Sequence, residues 1–220
     1  TEDQTLTVSN TLADADGLGT ISYQWKRAGS AISGATSSTY TLVQADVGSA
    51  ITVTASYTDG LGKAESVTSS ATSAVANIND VPTGSVTISG TATQAQQLTA
   101  ANTIADADGL GTISYQWRRD GSAISGATGS TYTLSQADVG ATIMVMATYI
   151  DGHGTTESVL SGTTAKVANI NDAPTGSVTI SGTSTQAQQL TAANTVADAD
   201  GLGSISYQWK RDGSSIDSAT

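Results

Sequence analysis

Three places in the chain carry two aspartates one residue apart and then a glycine: Asp14 and Asp16, Asp106 and Asp108, Asp198 and Asp200. Each pair opens the stretch "DADGLGTISYQW", in which only Thr20 and Thr112 give way to Ser204 in the last copy. Paired carboxylates beside a glycine suit three chemistries. They can ligate a hard cation through oxygen, act as a general acid and base, or shape a turn by accepting nearby backbone N–H groups. Further oxygen donors lie in "NIND", at Asn79 and Asp80 and again at Asn171 and Asp172. Others lie in the Asp-Gly turns at Asp59 and Asp151.

The acid/base reading needs a buried cleft and two carboxyls with divergent pKa values. Short turn loops rarely provide these, and a catalytic pair copied three times is not expected. The single histidine, His153, has Leu61 at the matching place in the first copy, so a Ser-His-Asp arrangement has no repeated basis. Cysteine is absent, which excludes thiol nucleophiles, thiolate zinc sites and disulfides. The chain is therefore not expected to be an enzyme. An EF-hand is also excluded, because the loop lacks a third carboxylate before its glycine and has Trp117 where a bidentate Glu belongs. What remains is a calcium ligand set or a structural turn, and the residues alone leave both open.

The elements that must position these loops follow from the spacing. The copies begin 92 residues apart, about the length of one small β-domain. That register gives one copy over 1–81 lacking its first strand, a complete copy over 82–173, and the N-terminal half of a third over 174–220. With no initiator Met and ends that cut across the repeat, the sequence is expected to be a fragment of a longer array.

Within the complete copy, Val86 and Ile88 alternate with Thr and Ser in a short first strand, and a second strand centres on Leu98. Ile113, Tyr115 and Trp117 fall on one face of a third, with Ser114, Gln116 and Arg118 on the other. A return strand passes Tyr132 and Leu134. Ile143, Val145, Ala147 and Tyr149 alternate inward on a long strand, and a last strand is predicted through Val159, Ala165 and Val167. No helical period appears. Short strands between Gly/Asp turns predict an all-β fold of antiparallel β-sandwich repeats.

Composition narrows the partners. Nineteen Asp+Glu against 8 Lys+Arg give a net charge of −11, which repels nucleic acid and anionic membranes and favours cations. No apolar run is long enough for a membrane span, and no membrane insertion is expected. Asp46 and Asp138 in "ADVG" read as structural corners. Met144 and Met146 read as drift on an outward sheet face. Lys26–Arg27, Arg118–Arg119 and Lys210–Arg211 read as solvated charges that deter edge-to-edge aggregation.

Trp117 in the third strand, followed by "ADVGATIMV" ahead of a long alternating strand, resembles an immunoglobulin-like (Ig-like) domain. Ile143 and Val145 stand where that family has the Tyr and Cys of its disulfide strand, so apolar packing would replace the bridge. The whole pattern, "SYQW…ISGAT…TYTL…ADVG…ITVTASYTDG…NDAPTG", is similar to the Ig-like or cadherin-like tandem repeats of giant bacterial surface adhesins secreted by type I systems. The resemblance spans the chain. It implies that the linker (Asn79, Asp80), the B–C loop (Asp106, Asp108) and the F–G turn (Asp151, with Glu157) converge at one pole of the sandwich. The third copy would repeat this with Asn171, Asp172, Asp198 and Asp200, and the first with Asp14, Asp16 and Asp59. Cadherin-like repeats share calcium ions between such segments.

The function implied is that of structural extender (spacer) modules at the bacterial cell surface, stiffened by calcium at the junctions. The modules would then contact chiefly their neighbours in the same chain. A glycan- or peptide-binding module, or a non-catalytic spacer of a secreted enzyme, is the alternative. Few aromatics remain outside the core positions to stack on a sugar. The truncated ends further predict strand exchange between chains, since near-identical neighbours invite it.

Overall fold

The computed structural model describes residues 1–219. They are all-β: strands pair antiparallel, and the only helical segments are two 3₁₀ turns at Gln44–Asp46 and Gln136–Asp138. By its contacts the chain divides into two compact units. One holds Thr1–Ser85, Thr103–Ile113 and Thr148–Val159, and the other Val86–Asn102, Ser114–Ala147 and the residues from Leu160 on.

The N-terminal stretch forms β1 (Thr5–Thr7), β2 (Ser22–Arg27), β3 (Ser30–Ala31), β4 (Thr39–Thr41), β5 (Ile51–Thr58) and β6 (Ala64–Thr68). β1 pairs β4, and the other four join in the order β3-β2-β5-β6. The period-2 sequence of β5 turns Ile51, Val53 and Ala55 inward and leaves Thr52, Thr54 and Ser56 half-buried. Trp25 sits opposite Val53 in register. Leu6 of β1 and Tyr40 of β4 pack on the cluster of Trp25, Ile51, Val53, Leu42 and Val75. Two antiparallel sheets thus share one core, an arrangement consistent with a β-sandwich.

The next strands are β7 (Val86–Ser89), β8 (Gln97–Asn102), β9 (Ser114–Arg119), β10 (Ser122–Ala123), β11 (Thr131–Thr133), β12 (Ile143–Ile150) and β13 (Thr156–Leu160). They form sheets in the orders β11-β8-β7 and β10-β9-β12-β13. Trp117, Leu98, Ile143 and Val145 are fully enclosed. The Trp117 ring stacks on Tyr132 at 5.7 Å, and its indole N–H donates to the Gly129 carbonyl. Trp25 repeats this with Tyr40 and Ser37. The last strands are β14 (Val178–Ser181) paired with β15 (Thr191–Asn194), and β16 (Lys210–Arg211) paired with β17 (Ser214–Ser215).

Two expectations change. The last strand stops at Leu160 and does not run through Ala165 and Val167. Beyond it, the Ser161 and Thr164 hydroxyls accept the N–H groups of Val145 and Ile143, replacing ladder carbonyls, and the chain leaves strand geometry. Val167 then makes an isolated parallel bridge to Val139. Arg27 and Arg119 are not merely solvated strand charges either. Each guanidinium pairs with a fully buried aspartate on a 3₁₀ turn, Arg27 with Asp46 at 2.6 Å and Arg119 with Asp138 at 2.7 Å. Tyr40 and Tyr132 donate to the same carboxylates at 2.9 Å. A buried carboxylate needs this neutralisation, because burial of an unpaired charge is costly.

Candidate functional site

The two aspartates of each pair have different fates. The first shapes its own loop: Oδ1 of Asp106 accepts the Asp108 N–H at 2.9 Å, closing an Asx turn. Its Oδ2 accepts the buried Tyr149 hydroxyl. Burial and then this bond to Asp106 hold the Tyr149 phenol well above its ordinary pKa. Asp14 does the same, taking the Asp16 N–H and the Tyr57 hydroxyl, and those two bonds hold its carboxyl below the ordinary range. Asp198 takes the Asp200 N–H at 2.9 Å.

The second aspartate faces outward from the loop to the "NIND" segment. Asp108, only 4% exposed, accepts the Asp80 backbone N–H on Oδ2 at 2.7 Å and the Gln44 side-chain amide on Oδ1 at 2.9 Å. Asp200 accepts the Asp172 N–H at 2.7 Å, the Asn169 amide at 2.8 Å and the Gln136 amide at 3.3 Å. Those three donors, the Asp172 N–H foremost, hold the Asp200 carboxyl below its ordinary range. Asp16, the matching residue of the first pair, is exposed.

Glycines make this posture attainable. Gly109 lies at φ +98°, and the Gly152 N–H bonds both the Asp108 and Gly109 carbonyls. Loop 106–111 therefore lies directly on the turn at 150–152. Asp151 is 6% exposed and serves its own turn, accepting the His153 and Thr155 N–H groups at 2.8 Å each. Burial pushes its carboxyl up, but these and neighbouring N–H bonds prevail, so the net shift is downward. Asp59 makes the matching bonds to Leu61 and Lys63.

One carboxylate that the sequence did not mark joins the first site. Glu2 is 3% exposed and accepts the Ile78 N–H at 2.7 Å. Carboxylate oxygens of Glu2, Asp80 and Asp108 all lie within 4.8 Å of one another. Asn79 points elsewhere, donating to Glu157 at 2.8 Å. At the second site Gln94 takes the place of Glu2: it accepts the Ile170 N–H at 3.1 Å, and its amide donates to Asp172 at 2.8 Å. Asn171 bonds the Asp172 carbonyl at 3.0 Å.

This difference separates the two sites chemically. Gln94 satisfies Asp172 without any ion. Glu2 has no side-chain amide N–H to offer Asp80, so the first site gathers three carboxyl groups. Carboxylate oxygens keep lone pairs beyond those already bonded, and such a donor set suits a hard cation. Gln44, bonded to Asp108 through its amide nitrogen, carries a buried carbonyl oxygen without a partner, a feature Gln136 shares at the second site.

Sequence reasoning marked Asp80 with Asp108 and Asp172 with Asp200 as candidate ligands, and in the structure each of these pairs is joined by a backbone N–H to carboxylate bond. It missed Glu2, Gln44, Gln94, Asn169 and Gln136. A signal was present, since "VANIND" and the "QAD" glutamines recur beside each site, at 75–80 and 167–172 and at Gln44 and Gln136. Comparison with protein-family models and with curated proteins finds no match.

Proposed function

We propose that this chain is a run of Ig-like β-sandwich repeats, 92 residues in period, serving as structural extender modules of an extracellular bacterial surface adhesin. In this reading the modules are 1–81, 82–173 and 174–220, and the "NIND" segments are the linkers between them. The observation that supports it most is the clasp made twice at the same spacing. Asp108 holds the Asp80 N–H and Asp200 the Asp172 N–H, each at 2.7 Å, with a glutamine amide on the other oxygen. A linker whose backbone donors are tied to a folded loop resists bending, which is what a spacer requires. Small-angle scattering tests this. Asp108→Ala and Asp200→Ala together are expected to shorten the maximum dimension and broaden the distance distribution. Unchanged curves would remove the clasp as the source of stiffness.

Calcium adds to the first clasp. Glu2, Asp80 and Asp108 would hold the ion, which supplies positive charge between three carboxylates. Extracellular modules of this ligand class bind at roughly 10⁻⁴ to 10⁻³ M. Titration calorimetry is expected to give one calcium per chain, and Glu2→Gln, which copies the second site, is expected to abolish the heat. Equal heat from the Glu2→Gln protein would dismiss the assignment and leave the hydrogen-bonded clasp intact.

A further inference from the structure

The strands β5 and β12 differ on one face only. Inward, Ile51, Val53 and Ala55 are matched by Ile143, Val145 and Ala147. Outward, Thr52 and Thr54 give way to Met144 and Met146, the two methionines of the chain. On the neighbouring strands Thr68 gives way to Leu160 and Lys26 to Arg118.

These positions adjoin one another. In the first copy Thr54 faces Thr68 in register, their hydroxyls bonded at 2.9 Å, and Lys26 faces Thr52. The Ser161 N–H bonds the Val145 carbonyl as the Ser69 N–H bonds that of Val53, each at 2.9 Å, so β13 keeps the same register. Met146 therefore stands beside Leu160, which is 54% exposed. Arg118 lies across the face, its Nε donating to the Gly121 carbonyl at 2.8 Å and its Nη1 to the Met146 sulfur at 3.4 Å. The Gln116 amide is already taken up by the carbonyls of Trp117, Ile124 and Ala127, so covering this face leaves it satisfied.

We infer that two copies of this chain pair through this face, Met144, Met146 and Leu160 of one packing on those of the other. Burial of the three side chains drives the pairing, and the flexible thioethers adapt to the facing surface. Charge selects the occupant. Chains of net charge −11 repel wherever carboxylates meet, and the four changed positions carry none. Arg118 makes no ion pair among the described residues, so its charge is left to the acidic second copy. The same patch serves both partners, and such a contact closes on a two-fold axis as a dimer.

Light scattering coupled to gel filtration, from micromolar to millimolar chain, tests this. The mass is expected to rise from 22.0 kDa to twice that value and stop there. Met144→Thr, Met146→Thr and Leu160→Thr together restore the residues that occupy the matching positions of the first copy. That variant is expected to stay at 22.0 kDa with unchanged tryptophan fluorescence. Arg118→Glu places a carboxylate on the face and is expected to raise the dimer dissociation constant about tenfold. A wild-type mass of 22.0 kDa throughout would overturn the inference. So would a folded triple variant that still doubles, a wild type that grows past the dimer, or an Arg118→Glu protein that pairs as tightly as the wild type. A wild type that stays monomeric yet brightens anilinonaphthalene sulfonate, with the signal lost in the triple variant, would give the face to another apolar partner and overturn the second copy as occupant.

Discussion

Asp138→Ala is expected to cost about 3 kcal/mol of stability, the lower end of the range for breaking a buried charge pair. The carboxylate is completely enclosed and accepts from Arg119, the Tyr132 hydroxyl, and both the backbone N–H and hydroxyl of Ser135. Truncation orphans all of these donors at once. The lower end applies because the Arg119 side chain keeps 32% of its exposure and can recruit water. Tyr132 also stacks on Trp117, so the loss should loosen the tryptophan site, and urea unfolding followed by tryptophan fluorescence reads it directly. A loss below about 1 kcal/mol, the worth of one ordinary hydrogen bond, would contradict this account.

The same residue sets a pH limb. Burial raises the Asp138 carboxyl, but the Ser135 N–H and hydroxyl, Arg119 and Tyr132 outweigh it, and the net shift is downward. A carboxyl whose folded pKa lies below its unfolded value of about 3.9 contributes fully above that pH and loses the contribution as pH falls through the folded value. The wild type is therefore expected to lose stability below about pH 4. Asp138→Asn, less stable at neutral pH, should show a flatter acid limb. Parallel limbs for the two proteins would assign the acid response to other groups.

Gly111→Ala is expected to destabilise by about 3 kcal/mol, at the upper end for overpacking. An added Cβ would stand 2.0 Å from the Ile150 carbonyl oxygen and 3.1 Å from its carbon. Both partners are backbone, so no side chain can rotate aside, and loop 106–111 must lift from the 150–152 turn. That movement would also disturb the Asp106–Tyr149 bond and withdraw Asp108 from Asp80. Gly121→Ala is the control: its φ is +83°, but nothing lies within 4 Å of the new methyl. It should cost only the left-handed backbone penalty, about 1 kcal/mol. Equal losses for the two variants by urea unfolding would show that the loop tolerates the methyl and that the close approach does not hold the clasp.

The elements were legible because their signals are local. Alternation in "ITVTASYT" and "IMVMATYI" follows the two-residue repeat of a strand, and Asp-Gly pairs follow from turn stereochemistry. The inward tryptophans needed only the same parity rule. The end of the last strand was less legible, since whether a serine or threonine hydroxyl accepts a ladder N–H depends on the strand beside it.

The sequence by itself determined the all-β character and the inward positions. The meeting of the "DADG" loops with the "NIND" segments was only implied by a resemblance, and it is the folded chain that joins Asp108 to Asp80 and Asp200 to Asp172. Only the tertiary structure decided where each carboxylate points. Asp106 and Asp108 are alike in type and lie in one loop, yet one reaches a tyrosine 43 residues away and the other a glutamine 64 residues away. It also separated the two clasps, because Glu2 and Gln94 differ by one polar group whose consequence depends on the aspartate brought against it. Propensity and parity act between neighbours in sequence. The balance of charge at "DADGLG" is set by groups that only folding brings within a few ångströms.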